Sequence, residues 1–170
     1  MEGRPAGTPG PVTLAVEAAD SDVSLALQQA FFADIVSRYP TWEPAASQSL
    51  EASELALPGG VWLVAYSAGD PIGCGGLQRV DAQTAEVRRI FIEEVARGHG
   101  IGRNLLACLE SHAARLGYER VRLTTGDEQP EALGLFRAAG YAATVPFTNG
   151  VFTRHWLEKR LGGAEGADEH

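Results

Sequence analysis

The chain has 170 residues, 45% of them hydrophobic and 21% charged, which is enough for one soluble domain with its own core. Its net charge of −8 argues against a general nucleic-acid coat and against an anionic membrane surface as partner. The cysteines, Cys74 and Cys108, form neither a C-x-x-C pair nor a zinc pattern, which is typical of reduced structural thiols in a cytoplasmic protein.

The two ends of the chain differ in composition from its middle. Residues 1–10 are rich in glycine and proline and contain no apolar run of a secretory signal, and residues 162–170 are small and acidic. No apolar run approaches the ~18 residues of a membrane span. We therefore expect flexible tails at 1–10 and 162–170 around one domain, residues 11–161.

The first half of the domain alternates strand and helix signals. A strand at 12–17 is followed by a helix capped by Asp20 or Asp22 and limited by Pro40. Residues 41–58 are typical of a loop and a short second helix. Strands are then predicted at 61–66, 72–80 and 85–92.

The second half continues the alternation. Apolar residues from Ile101 to Leu116 recur at helical spacing, and Gly117 stands where a helix ends. A strand at 119–125 precedes a helix that begins at Pro130 and ends at Gly140. Two final strands, 141–145 and 152–159, are predicted around "TNG" (148–150). The sum is a mixed α/β domain whose sheet is partly antiparallel and partly crossed over by helices.

The segment "ARGHGIGRNLL", residues 96–106, combines a strand end, three glycines and a helix start. The first N–H groups of a helix lack partners, and glycine lets a phosphate approach them. The P-loop pattern is absent, and Arg103 stands where a Rossmann motif needs its last glycine. The segment therefore indicates either a different anion site or an ordinary glycine-rich turn.

Residues 97–102, Arg-Gly-His-Gly-Ile-Gly, fit the pattern R/Q-x-x-G-x-G/A. Together with the order of elements across residues 85–141, they resemble the GNAT superfamily of acyl-CoA-dependent N-acetyltransferases. The resemblance covers residues 12–160 and implies a mixed, mainly antiparallel sheet of about six to seven strands flanked by about four helices. It implies acetyl-CoA as co-substrate, and it assigns coenzyme contacts to Ile90, Phe91, Ile92, Arg97, Gly98, His99, Gly100, Ile101, Gly102, Arg103, Gln129 and Phe136.

The strand 85–92 carries the residues that the resemblance makes catalytic. Strict alternation puts Glu86, Arg88, Ile90 and Ile92 on one face and Val87, Arg89 and Phe91 on the other. By resemblance, the backbone of Ile90 to Ile92 pairs with pantetheine, and the Ile92 N–H polarises the thioester carbonyl. Glu86 occupies the position of a general base. It lies roughly 13 Å along the strand from Ile90, so it would act through water; the alternative is a strand-edge glutamate paired with Arg88 or Arg79.

The sequence departs from the family pattern at Phe136, where relatives often carry the tyrosine that protonates the departing thiolate. Phe has no proton to give. Tyr141 is nearby but is typical of a core residue. Gln129 is expected either to bond the pantetheine or to cap the helix.

The resemblance builds the acceptor site from residues 22–58 and 144–154. Acidic and aromatic side chains in these ranges suit a cationic amine; they are Trp42, Glu43 and Phe147, with Glu51, Glu54 and Phe152. A solvated helix face and aromatic residues of the core explain them equally well. No metal-ligand motif is found, so no metal is predicted.

Two functions follow from the resemblance. One is acetyl transfer from acetyl-CoA to a primary amine in a ternary complex; the other is a non-catalytic acyl-CoA-binding sensor, which the loss of the tyrosine keeps open. A dinucleotide-binding protein is a distant third. Homodimers are common in the family, and the sequence neither requires nor opposes one.

Overall fold

One seven-stranded sheet forms the centre of the computed structural model, which describes residues 10–43 and 50–162. The strands are β1 (Val12–Val16), β2 (Val61–Ser67), β3 (Asp70–Arg79), β4 (Thr84–Ile92), β5 (Arg120–Thr125), β6 (Ala142–Ala143) and β7 (His155–Arg160). Their order is β1-β2-β3-β4-β5-β7-β6, and every neighbouring pair is antiparallel except β4 and β5. The predicted mixed, mainly antiparallel sheet is confirmed.

Three α-helices pack on the sheet within the described ranges: α1 (Asp22–Arg38), α2 (Ile101–Arg115) and α3 (Pro130–Ala138). The prediction of about four was one too many. Where a loop and a short second helix were expected at 41–58, the structure describes one 3-10 turn, Ala52–Leu55, which ends before Pro58 as helices do ahead of a proline. Residues 44–49 of that segment lie outside the described residues.

The helix ends follow the sequence signals with one exception. Gly117 and Gly140 have φ of 93° and 99°, the left-handed geometry expected of glycine after a helix. The N-terminus of α1 differs, because Ser21, and neither Asp20 nor Asp22, is the cap, and its hydroxyl accepts the Ser24 N–H at 3.1 Å.

The sheet has an apolar cluster on each face. The larger one, the α2 cluster, joins α2 to the sheet through Leu105, Leu106 and Leu109. The smaller one, the α1 cluster, joins α1 to the sheet through Leu27 and Trp62. Across residues 10–43 and 50–162, none of the helices combines the length and apolar character that crossing a membrane requires.

The C-terminal strands are shorter than predicted. β6 has two residues, and residues 144–154 run outside the sheet, so "TNG" is not a tight hairpin turn. Side-chain contacts to β5 and β7 hold residues 144–154 in place. The Phe147 ring covers the Arg122 guanidinium at 4.0 Å, and the Trp156 indole donates to the Thr148 hydroxyl.

A bulge in β4 overturns the predicted alternation of its side chains. The register of β3 and β4 shifts between the pairs Cys74–Phe91 and Gly76–Arg88, and Arg89 has φ of 55°. The extra residue inverts the faces beyond it. Ile90 and Ile92 therefore pack with Val87 against the α2 cluster, whereas Phe91 belongs to the α1 cluster.

Candidate active site

The site lies where β4 and β5 separate. Parallel pairing covers only Thr84–Glu86 with Arg120–Arg122, and β4 then continues without β5 beside it. The Glu93 amide donates to Ile72 of β3, so by alternation the amide and carbonyl of Ile92 point away from β3. The Ile92 carbonyl indeed accepts from the Arg97 Nε at 2.8 Å, so this backbone faces the opening.

A cavity of about 270 Å³ extends from this opening to the glycine segment, and we name it the glycine-loop cavity. Among the predicted coenzyme residues it is lined by Ile90, Phe91, Ile92, Arg97, Gly98, Gly100, Ile101, Gly102, Arg103, Gln129 and Phe136. His99 is exposed and is not part of the lining.

The glycine-loop cavity has the geometry of an anion site. Gly98 and Gly100 have φ of 84° and 77°, and open space lies on the side where a side chain would stand. Gly100 precedes α2, and no acceptor among the described residues takes up the backbone N–H groups of Ile101 and Gly102. These free donors at a helix N-terminus fit a phosphate group.

Arg97 is held in place by the protein itself. Besides the Ile92 carbonyl, its guanidinium contacts Asp34 at 3.4 Å and lies 5.6 Å from the centre of the Phe91 ring. Arg103 is exposed at the cavity, and no carboxylate within the described ranges pairs with it. Arg103 is thus the freer of the two cations.

A second cavity of about 790 Å³, which we name the aromatic groove, lies on the α1 side. The predicted acceptor residues Trp42, Glu43 and Phe147 line it, as does Phe152. Glu51 and Glu54 do not line it. They cap the 3-10 turn at Ala52–Leu55, and Glu54 also accepts from Gln78, so the proposed acidic lining was wrong for both.

The two cavities meet beside the free part of β4. They share five lining residues, namely Phe31, Ile90, Gln129, Ala132 and Phe136. The buried Phe136 ring packs edge-on against Tyr141 at 6.2 Å. Gln129 precedes α3, but its side chain does not cap the helix, so the capping alternative was wrong.

Glu86 lies in the last pair of residues before β4 and β5 diverge. It is buried, lines the aromatic groove, and pairs through Oε1 with Arg122 at 2.8 Å and through Oε2 with Arg88 at 3.6 Å. Arg88 is thus one of the two partners that the structural alternative named, whereas the nearer partner is Arg122 and not Arg79.

Two side-chain networks could not be predicted from the sequence, because most of their members are far apart in the chain. Arg38 of α1 binds Asp34, Glu131 and the Glu128 carbonyl, which joins α1 to α3 beside the glycine-loop cavity. His155, for which no partner was predicted, lies 2.8 Å from Asp127. Only the i,i+4 spacing of Asp34 and Arg38 is a local signal.

Tyr141 is a core residue, as its sequence position indicates. Its hydroxyl donates to Glu110 at 2.9 Å, and burial followed by the nearby Glu110 charge raises its pKa. Glu110 also accepts from Lys159 at 2.8 Å. Neither cavity includes Tyr141.

The side chains that commonly bind metals are dispersed over the described residues. Nowhere in residues 10–43 and 50–162 do three His, Cys, Asp or Glu side chains come together as a metal site would need. The absence of a metal requirement stays a prediction.

Comparison with known proteins identifies the family of the chain. Residues 26–141 match the family model of the acetyltransferase (GNAT) family. The chain belongs to this family. The resemblance drawn from residues 85–141 is thereby confirmed.

A named acetyltransferase is similar to this chain in sequence. An IAA acetyltransferase of Azospirillum brasilense is 37% identical over 100 residues, which are 58% of this chain and 65% of that protein. The match therefore spans less than two thirds of the relative's length.

Solved structures confirm the GNAT fold. A GNAT acetyltransferase of Staphylococcus aureus Mu50 superposes with a TM-score of 0.72 at 17% identity, covering 89% of this chain and 99% of that one. A GNAT acetyltransferase of Elizabethkingia anophelis, solved with acetyl-CoA bound, gives a TM-score of 0.62 at 21% identity over 88% and 98% of the two chains.

Proposed function

We propose that this GNAT protein transfers an acetyl group from acetyl-CoA to a primary amine, which attacks directly in a ternary complex. The single observation that carries the proposal is the meeting of two cavities at Ile90 and Phe136, beside the outward-facing backbone of β4. One cavity offers free helix amides to a diphosphate, and the other opens to solvent on the α1 side. An acyl donor and an acceptor can thus react without a covalent enzyme intermediate.

The coenzyme lies in the glycine-loop cavity in this proposal. The amides of Ile101 and Gly102 bind the pyrophosphate, with Arg103 adding charge at the rim. The Ile92 amide donates to the thioester carbonyl. As that oxygen becomes negative in the transition state, a fixed donor is worth about 2.7–4 kcal/mol.

The chemical step forms a C–N bond and breaks the C–S bond. The amine proton passes through water to Glu86, which lines the aromatic groove. Phe136 supplies no proton, so coenzyme A departs as a thiolate. Free thiols have a pKa of about 8.5, which makes the thiolate a tolerable leaving group.

A second function, acyl-CoA binding without transfer, is favoured by one observation. Both carboxylate oxygens of Glu86 already face guanidinium groups, and Phe136 is no acid. Thiol release from acetyl-CoA in the presence of a panel of primary amines, with the product identified by mass spectrometry, separates the two. Release that depends on the amine supports the transferase, whereas calorimetric binding of acetyl-CoA without release by any amine supports the sensor.

A further inference from the structure

Arg89 is a cation of the aromatic groove without a carboxylate partner in the described part of the chain. Its guanidinium donates to the Gln28 side-chain oxygen at 2.5 Å and lies 4.8 Å from the centre of the Phe32 ring. One neutral acceptor and one aromatic face leave most of its five N–H donors unused.

Gln28 is built to hold this guanidinium without neutralising it. The side chain is buried, and its Nε2 donates to the Ala19 carbonyl at 2.8 Å and to the Ser24 carbonyl at 3.2 Å. With both amide protons used, the oxygen has to face Arg89. The guanidinium is therefore fixed in direction while its charge stays uncompensated.

The neighbouring charges do not neutralise Arg89 either. Two carboxylates of the described residues line the groove. The buried Glu86 is shared by Arg88 and Arg122, and the exposed Glu43 forms no ion pair with Arg89. Burial, and secondarily repulsion from Arg88, lowers the pKa of Arg89. A guanidinium nevertheless remains charged in a protein, so an anion beside it is favourable.

The backbone directs Arg89 into the groove at a cost. Its φ of 55° is unusual for a residue with a side chain, and it arises from the bulge that inverts β4. Without the bulge, the alternation of β4 would place the Arg89 side chain on the same face as Val87, which packs in the α2 cluster. Strain at such a position is a feature of functional sites.

We infer that the aromatic groove binds its acceptor through a carboxylate on Arg89, so that the acceptor is an amine that also carries a carboxylate. The inference rests on the proposed function and narrows its substrate class. It adds a carboxylate to the cationic amine expected from an acidic lining, of which Glu43 lines the groove whereas Glu51 and Glu54 lie outside it. The carboxylate would take the free N–H donors of Arg89 beside Phe32 and the ring of Trp42 stacked on it.

Binding of product-type ligands tests the inference without requiring turnover. The probes are the N-acetyl derivatives of glycine, phenylalanine and glutamine, each paired with its C-terminal amide, titrated by calorimetry with coenzyme A present. We expect at least one acid to bind about tenfold or more tightly than its amide, as a charge-assisted hydrogen bond predicts. Equal affinities within every pair, or failure of every acid to bind, would overturn the inference.

Variants attribute the preference to Arg89. Arg89→Gln should abolish the difference between acid and amide, while Arg137→Gln should retain it, because Arg137 is exposed on α3 and lines neither cavity. Should Arg89→Gln fold poorly, Arg89→Gly removes the same charge and accepts the positive φ. A preference that survives removal of the guanidinium would contradict the proposal.

Turnover separates this inference from the proposed function. Amino acids and their amides are compared as acceptors, and the chemistry alone favours the amide, whose amine has the lower pKa. A lower KM for the acids in the wild type but not in Arg89→Gln supports both ideas. Equal turnover of acids and amides keeps the transferase and overturns the carboxylate site, whereas acid-selective binding without any turnover keeps the site and overturns the transferase.

Discussion

Glu86 and Arg122 face each other in the last register pair of β4 and β5, and their side chains are joined at 2.8 Å where the strands begin to diverge. The ion pair thus stands at the closed end of the opening that both cavities use. A carboxylate there serves either to hold the strands together or to accept a proton from the acceptor.

Replacement of Glu86 by Gln tests the second of these roles. We expect kcat to fall by about 10²-fold or more, because general base catalysis is commonly worth that much. The Kd of acetyl-CoA should stay unchanged, since Glu86 lines only the aromatic groove. Steady-state kinetics and calorimetric titration measure the two effects.

The matched variant is Arg122→Gln, which breaks the same ion pair from the other side. If Glu86 acts only through that pair, both variants will lose activity and thermal stability to the same extent. A base predicts a much larger loss of kcat in Glu86→Gln than in Arg122→Gln. Equal losses of kcat in the two variants would remove Glu86 as the base.

The sequence predicted the parts of this fold that local patterns control. α2 follows from its apolar spacing and from Gly117, and the turn that leads into it follows from Gly98 and Gly100. The faces of β4 could not be predicted, because one inserted residue inverts every side chain after it and leaves no signature in the strand. The position of the Arg89 side chain in the aromatic groove could not be predicted for the same reason. Its hydrogen-bond partner Gln28 could not be predicted either, because it lies 61 positions away in the chain.

Gly100→Asp should abolish the binding of acetyl-CoA. The new side chain enters open space that the proposal fills with phosphate, and its charge repels that group. We expect an affinity loss of about a hundredfold or more, since several charge-assisted bonds are lost together. Calorimetric titration of acetyl-CoA measures it.

The control for Gly100 is Gly117→Asp, at the other end of α2. Gly117 also has a positive φ, 93°, and open space around it, but it lines neither cavity. The backbone strain of the two variants is therefore similar, and only the first should lose the coenzyme. Unchanged affinity for acetyl-CoA in Gly100→Asp would show that the coenzyme does not bind in the glycine-loop cavity.

Tyr141→Phe tests whether Tyr141 replaces the acid that Phe136 lacks. Removal of the hydroxyl breaks one buried hydrogen bond, to Glu110, which keeps Lys159 as a partner. We expect a loss of about 1 kcal/mol of unfolding free energy and no change in kcat. Urea unfolding and steady-state kinetics are the measurements, and a fall in kcat at full coenzyme occupancy would instead make Tyr141 part of the mechanism.

Cys74 makes the stability of the protein depend on alkaline pH. The side chain is fully buried in the α1 cluster, and burial raises the pKa of its thiol from 9.0 to about 12. Between these values the unfolded chain releases a proton that the folded chain keeps, so the free energy of unfolding falls as the pH rises. For one such group the free energy of unfolding falls by up to about 1.4 kcal/mol per pH unit. The stabilisation that comes from the buried neutral thiol is fully present below pH 9.

Urea unfolding of the wild type and of Cys74→Ala at several pH values between 8 and 11 isolates this contribution. The variant loses packing at every pH, but its unfolding free energy should fall less steeply above pH 9 than that of the wild type. Parallel curves for the wild type and Cys74→Ala would mean that Cys74 ionises alike in the folded and unfolded chains, against the burial that the structure gives it.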